Sequence, residues 1–245
     1  MARFALSLVL LFVLSTVAAA EPLRVVTLSY PPYEYMEDGE VKGVATRIVR
    51  EVFRRMDVEI EIELMPWVDA LEAVRTGKAD AIYTAFKTPE RERYLLYPST
   101  ELIGQTTSLF VHKGSDIDYS GQLKPLGNYT FAVVHGVSYG SFFDSAVKEG
   151  HVRRLVRSVN GTESVKRFLD GEADILVSNW LEARTILRTL GRENEAEVLT
   201  PPLQNILSYL AFSSKSDRLQ LLGEFERNLR QIRMDGTYGR LFQAN

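Results

Sequence analysis

The feature that most constrains this chain is a repeat: "AVRTGKADAIYT" (Ala73 to Thr84) returns 94 residues later as "RFLDGEADILVS" (Arg167 to Ser178). Each copy reads as a helix end, a glycine stop, an Ala-Asp pair and an apolar strand. Two such units at that separation fit two similar lobes better than one sheet. Around the first copy, strands are expected at Leu23 to Leu28 and in the alternating "VEIEIEL" of Val58 to Leu64. Between them Val44, Ile48, Val52 and Met56 form one apolar stripe, with Arg47, Arg50, Glu51 and Arg54 left for water. A second helix runs from Trp67 to Arg75 and stops at Gly77, before a strand from Ala79 to Thr84. This alternation predicts an α/β fold with a largely parallel sheet.

The second lobe needs its own strand-to-helix turn. "TFAVVHGVSYGSFF" supplies it, with a strand at Thr130 to Val134, Gly136, and a helix from about Ser138. The last helices, Asp217 to Met234 and "GTYGRLF", follow the second lobe and have the first left to pack against. The chain is therefore expected to cross between lobes twice, near His112 to Lys113 and near Asn205 to Ser208. Residues 1–20 form a leader, 21–112 the first lobe, 113–206 the second, and 207–245 return to the first.

The leader "MARFALSLVLLFVLSTVAAA" has Arg3, an apolar run and Ala18-Ala19-Ala20 as a cleavage site, the pattern of an export signal. Its apolar run is short of the roughly twenty residues a spanning helix needs. With no cysteine in the chain, neither a disulfide nor a lipid-bearing thiol is available. A free monomer in the periplasm, starting near Glu21, is expected. The net charge is −3 and no basic stripe is present, so nucleic acid is not an expected partner. The only histidines, His112, His135 and His151, lack zinc-ligand spacing, and no metal or other cofactor is expected.

Two constellations could carry chemistry. Thr88 reads as an N-cap and Pro89 as the first helical residue, which puts Arg91 in a first turn where the helix dipole opposes it. It is either a solvated arginine or half of an anion site, guanidinium plus free helical N–H groups. "GVSYG" (Gly136 to Gly140) matches the G-x-S-x-G nucleophile elbow. His151 is the only later histidine, thirteen residues on, and no oxyanion loop is evident, so Ser138 reads better as a helix cap. Tyr30, before Pro31-Pro32, and Trp67, after Pro66, stand at strand ends on one edge of a sheet. Each is either core or one of two flat walls where open α/β sheets bind ligands.

Together these stretches resemble a known family. "SYPPYEYMEDGEVKGVATRIV", "PWVDALEAVRTGKADAIYTAFKTPERERYLLYPS" and "MDGTYGRLF" are similar to the opening, central and C-terminal motifs of the bacterial solute-binding proteins of family 3, receptors of ABC importers. The resemblance implies a two-lobed periplasmic-binding-protein-like fold, two hinge crossings, and a cleft that closes on a small polar ligand bearing a carboxylate. It matches Tyr30 and Trp67 to aromatic walls, Thr84 to a strand end on the cleft, Arg91 to the carboxylate clamp and Ser138 to a second-lobe hydroxyl. Where amino-acid binders carry an ammonium-holding aspartate, this chain has Asn179, which can accept a hydrogen bond but cannot neutralise a cation. "AFKTPER" is one residue shorter than the usual pattern, and "GVATRIV" replaces the usual "GFDVDL". The resemblance implies a membrane permease as partner. Two other outcomes fit the scaffold: an enzyme like cyclohexadienyl dehydratase, with Glu34 or Glu101 as the carboxyl group, and a sensor subunit for a membrane kinase.

Overall fold

A computed structural model describes residues 21–243; the expected leader lies outside the described residues. In chain order the elements are β1 (Leu23–Thr27), β2 (Tyr35–Glu37), β3 (Glu40–Lys42), α1 (Val44–Arg55), β4 (Ile60–Leu64), α2 (Trp67–Thr76), β5 (Ala81–Phe86), β6 (Leu95–Leu96) and β7 (Ile103–His112). They continue as β8 (Thr130–Val134), α3 (Ser141–Lys148), β9 (Arg154–Ser158), α4 (Gly161–Leu169), β10 (Ile175–Asn179), α5 (Trp180–Thr189), β11 (Ala196–Val198), β12 (Gln204–Ser213), α6 (Leu221–Met234) and α7 (Thr237–Gln243).

The fold is two-lobed and α/β. One hydrogen-bonded path runs β4-β1-β5-β12-β7-β10-β8-β9, with β6 on β12 and β11 on β7. Each end of the path is parallel: β4, β1 and β5 in one lobe, β10, β8 and β9 in the other. The long antiparallel strands β7 and β12 join them. At Thr107, β7 exchanges β12 for β10, and at Ser208, β12 exchanges β7 for β5. The first exchange falls earlier than the expected crossing at His112 to Lys113. Thr106, Thr107 and Ser108 continue as strand into the buried Leu109, Phe110 and Val111, so no glycine, proline or turn marks the exchange in the sequence.

Both faces of the inner strands β5, β8 and β10 are covered, and these strands are near-continuous apolar runs, whereas the edge strands β4 and β9 alternate or expose charge. Successive residues feed opposite faces: Val25 and Tyr83 meet α1 and α6, while Val26 and Ile82 meet α2. In the other lobe Leu109, Phe131 and Ile175 pack with α3, and Phe110, Ala132 and Leu176 with α4 and α5. The stripe expected on α1 is buried as read. α2 ends on Gly77 in the left-handed region, φ 82°, a conformation that favours glycine.

α6 returns to the first lobe. Phe225 is fully buried there between Phe53 and Phe212, with ring centroids 5.3 and 6.3 Å away. Phe225→Ala leaves a cavity where the chain's last long helix meets its first, and should cost about 3 to 5 kcal/mol, read from the midpoint shift in urea at unchanged slope.

Candidate ligand-binding cleft

The cleft opens at the carboxyl ends of β1, β5, β8 and β10, and one cavity takes side chains from all four ends or the turns after them. Each sequence-predicted residue, Tyr30, Trp67, Thr84, Arg91, Ser138 and Asn179, lines it, and so does Gln105 from β7.

Arg91 is buried, but not on the helix expected for it. Its segment is a single 3-10 turn, Arg91–Arg93, because Leu95 already pairs with β12 and strand pairing ends the helix. Thr88 caps as read, with Arg91 N–H donating to Thr88 Oγ1 at 3.3 Å. The array of free helical N–H groups is therefore missing, and the guanidinium remains. Nη1 donates to the Phe86 carbonyl at 3.1 Å and Nη2 to the Gly136 carbonyl at 3.5 Å, one from each lobe. The group lies 5.2 Å over the Trp67 ring, a cation–π contact. Burial lowers its pKa from the ordinary value, and among the described residues no carboxylate reaches ion-pair distance of it. Five N–H donors with two carbonyls leave donors for an anion.

The aromatic residues behave as walls with polar edges. Trp67 is buried with Nε1 unpartnered. Tyr30 stacks on Tyr33 at 4.9 Å and donates through its hydroxyl to Gln105 Oε1 at 2.7 Å. The double proline after Tyr30, extended by its local preference, is instead part of a tight turn. Tyr30 N–H donates to the Glu34 carbonyl at 2.7 Å, and Glu34 N–H to the Tyr30 carbonyl at 3.1 Å. That turn carries Glu34 back under the cavity.

Glu34 is fully buried. Its Oε1 accepts from Thr84 at 2.5 Å and Thr27 at 3.2 Å, while Oε2 has no partner. Desolvation raises its pKa well above the usual carboxylate value, against the two threonine bonds. Thr84 itself has φ 56°, costly for a β-branched residue by about 1 to 3 kcal/mol. A register shift in the pairing of β5 with β12 accompanies it, and the result aims the Thr84 hydroxyl at Glu34. Glu101, the other carboxylate weighed from sequence, pairs instead with Arg233 at 2.7 Å.

The second lobe supplies Ser138 and Asn179. α3 begins at Ser141 rather than near Ser138, with Gly140 as N-cap, so Ser138 does not cap it. Ser138 Oγ donates to Asp144 Oδ2 at 2.5 Å and accepts from Gly140 N–H at 3.3 Å, bonds that hold the turn. An aspartate, not a histidine, faces the hydroxyl, which leaves the nucleophile elbow without its base. Gly136 in this turn has φ 74°, and a Cβ there would stand 2.5 Å from Val68 of α2; only glycine lets the lobes meet here.

Asn179 caps α5 through Oδ1, which accepts from Leu181 N–H at 2.8 Å and Glu182 N–H at 3.0 Å. Tyr33 donates to the same oxygen at 3.4 Å across the lobes. The acceptor is thus committed, and buried Nδ2 is the unpartnered atom. The acceptor that its chemistry gives Asn179 is used within the protein, and toward the cavity the residue presents a donor. Three residues on, Glu182 is buried, accepts from Ser178 Oγ at 2.8 Å, and is pushed by desolvation up to about 8. Sequence reasoning missed it, although Asn179-x-x-Glu182 has capping-box spacing.

A closed two-lobed cleft with a buried, unpaired guanidinium defines a small-molecule receptor rather than a surface-binding module. The family profile of "Bacterial extracellular solute-binding proteins, family 3" matches residues 23–244, and the chain belongs to that family. It is 22% identical over 241 residues to an arginine-binding periplasmic protein of Mannheimia haemolytica, covering 96% of this chain and 95% of the relative. Its fold is similar to a histidine kinase sensor domain with similarity to periplasmic binding proteins, TM-score 0.79 at 19% identity, covering 90% and 94% of the two chains. It is also similar to a mutant of ArgBP from T. maritima, TM-score 0.77 at 22% identity, covering 90% and 93%. No described helix is long and apolar enough to cross a membrane, and the described residues hold no cluster of three or more His, Cys, Asp or Glu able to bind a metal.

Asn179→Ala removes the α5 cap and should cost about 1 kcal/mol, measured by urea denaturation without ligand.

Proposed function

We propose that this protein is a periplasmic receptor that closes on a small solute carrying a carboxylate and delivers it to an ABC permease. Arg91 carries the reading. Burying a guanidinium between two carbonyls and an indole, with no carboxylate beside it, is costly unless an anion completes the site. Tyr30 and Trp67 are the walls of that site, Arg91 the clamp, and Thr84 the polar wall held from behind by Glu34. Ser138 acts through its turn, keeping the Gly136 carbonyl against Arg91.

The donor-rich lining narrows the solute. Arg91, Trp67 Nε1 and Asn179 Nδ2 all offer hydrogens, and no carboxylate lines the cavity. An acid whose second polar group accepts, such as an oxo, hydroxy or second carboxyl group, fits this lining better than an α-ammonium does. Catalysis is not required by the lining: Ser138 lacks a histidine, Glu101 is spent on Arg233, and Glu34 stands behind Thr84. The likeness to a kinase sensor domain keeps signalling as an alternative destination for the same captured ligand.

Isothermal titration of the protein against arginine and a panel of oxo-, hydroxy- and dicarboxylic acids tests the reading. Arg91→Ala should lose about 2 to 5 kcal/mol of binding, while Arg93→Ala, at an exposed position of the same turn, should stay close to wild type. Equal losses in the two variants defeat the clamp. Asn179→Asp keeps the capping oxygen and adds a charge, so it should move preference toward α-amino acids; an unchanged preference shows that this position does not read the second group.

A further inference from the structure

The hydrogens on the floor of the cavity run in one direction. Ser208 Oγ donates to the Ile103 carbonyl at 3.0 Å, so toward Gln105 it can only accept, and Gln105 Nε2 donates to it at 3.0 Å. This turns Gln105 Oε1 to Tyr30, whose hydroxyl donates to it at 2.7 Å. A hydroxyl has a single hydrogen, and Tyr30, which lines the cavity, has spent it. What Tyr30 keeps for a solute is acceptor capacity.

Thr84 is in the same condition. Its hydroxyl has two acceptors inside the protein, Glu34 Oε1 at 2.5 Å and the Tyr83 carbonyl at 2.7 Å. With Glu34 ionised either acceptor takes the hydrogen; with Glu34 protonated the carbonyl still does. In both cases Thr84 offers the cavity lone pairs. Asn179 and Trp67 have the converse polarity: Asn179 Nδ2 and Trp67 Nε1 are buried donors without a partner, and neither atom can accept. Asn179 is held close to the acceptor wall, because Tyr33, stacked on Tyr30 at 4.9 Å, donates to Asn179 Oδ1 at 3.4 Å. Thr107 lies on the same face of β7 as Gln105, by the strand's period of two. It lines the cavity, is 2% exposed, and its hydroxyl bonds nothing among the described residues, so it can serve either polarity.

We propose that the solute's second polar group is a neutral hydroxyl, donating to Tyr30 or Thr84 while it accepts from Asn179, so that the protein is a receptor for hydroxy acids. The inference rests on Arg91 as the clamp for the solute's carboxylate. Every other second group leaves part of the lining unpaired, which is costly in a buried site. An oxo group accepts from Asn179 but has no hydrogen for Tyr30 or Thr84. A second carboxylate has none either, and sets its charge against their lone pairs. An ammonium donates to both but gives Asn179 and Trp67 no acceptor, and it meets no carboxylate in the lining. A hydroxyl answers both polarities at once. A site built to bond a hydroxyl in this way rejects the analogue that lacks it.

Isothermal titration with matched acids tests the proposal. The series are lactate, propionate and pyruvate; β-hydroxybutyrate, butyrate and acetoacetate; and phenyllactate, phenylpropionate and phenylpyruvate. In at least one series the hydroxy acid should bind about tenfold more tightly than its deoxy and oxo partners. Tyr30→Phe keeps the flat wall and removes the acceptor, so it should weaken the hydroxy acid about tenfold and leave the deoxy acid close to its wild-type affinity. Gln105→Leu returns the hydrogen to Tyr30, which can then donate into the cavity, so the oxo acid should gain on the hydroxy acid. A packing defect alone would weaken all three acids together. Should Tyr30→Phe fail to fold, the wild-type preference and Gln105→Leu decide. Deoxy or oxo acids bound as tightly as hydroxy acids in every series, or variants that weaken all three alike, would overturn the hydroxyl subsite while an Arg91→Ala loss leaves the clamp standing. A hydroxyl preference that survives Arg91→Ala at unchanged affinity would defeat the clamp alone, and no binding by any acid would defeat both.

Discussion

The antiparallel pairing of β7 with β12 is the constraint on which both lobes depend. These strands carry the sheet's hydrogen bonds from one lobe to the other, so neither half ends in an open edge at the crossing. The crossing between lobes falls at one partner change in each strand, at Thr107 and at Ser208. Between those points only two strands connect the lobes, which makes this the place where a small change in backbone twist can swing one lobe against the other. It also places Gln105 at the floor of the cleft, bridging Tyr30 of the first lobe and Ser208 of β12 by hydrogen bonds of 2.7 and 3.0 Å. The crossing strands and the floor of the cavity thus share Gln105 and Thr107.

Electrostatics divides the cleft in two. At the cavity Arg91 is a buried cation with no carboxylate in reach among the described residues; away from its lining Glu34 and Glu182 are buried acids bonded to hydroxyls. They do not neutralise each other directly, because Thr84 and the aromatic pair Tyr30 and Tyr33 stand around the acids while Trp67 covers Arg91. Uncompensated groups of this kind lower stability and persist where a ligand, or a proton, completes them. The left-handed Thr84 belongs to the same pattern: its strain is held by the bond to Glu34 and by the β5 irregularity opposite β12.

Much of the fold was legible because the strands are buried on both faces and the helices on one. The α1 stripe, the Gly77 stop and the strand at Thr130–Val134 follow from apolar spacing and one glycine. The turn after Tyr30 was not, since a double proline reads as an extended exit and the bonds that fold it back are between backbone groups. The helix at Arg91 was misread for the opposite reason: its cap is genuine, but pairing of Leu95 with β12 is a tertiary event that no local signal announces. The same holds for the start of α3, where Ser138 has cap chemistry yet spends it on Asp144. That these residues share one cavity was legible because strand ends and the family motifs mark them; the direction of their hydrogen bonds was not, because it depends on which atoms the backbone has already used.

Two helix starts in the second lobe show how that spending creates function. Both have asparagine at the N-cap and glutamate three residues on. At α4 the box closes: Asn160 Oδ1 accepts from Glu163 N–H at 2.9 Å, and Glu163 Oε2 accepts from Val159 N–H at 2.9 Å. At α5 Asn179 caps in the same way, but Glu182 turns to Ser178 instead of reaching back. The difference is burial: Glu163 is partly exposed, whereas Glu182 is buried over Gly161 at the start of α4, where a residue with a side chain would displace it. A motif that elsewhere only caps a helix thus leaves a carboxyl group buried inside the second lobe. The cap bonds at Asn179 fix the amide so that its oxygen serves the helix and its nitrogen the cavity, and this backbone requirement, rather than the side chain's own chemistry, decides that Asn179 presents a donor to the cavity.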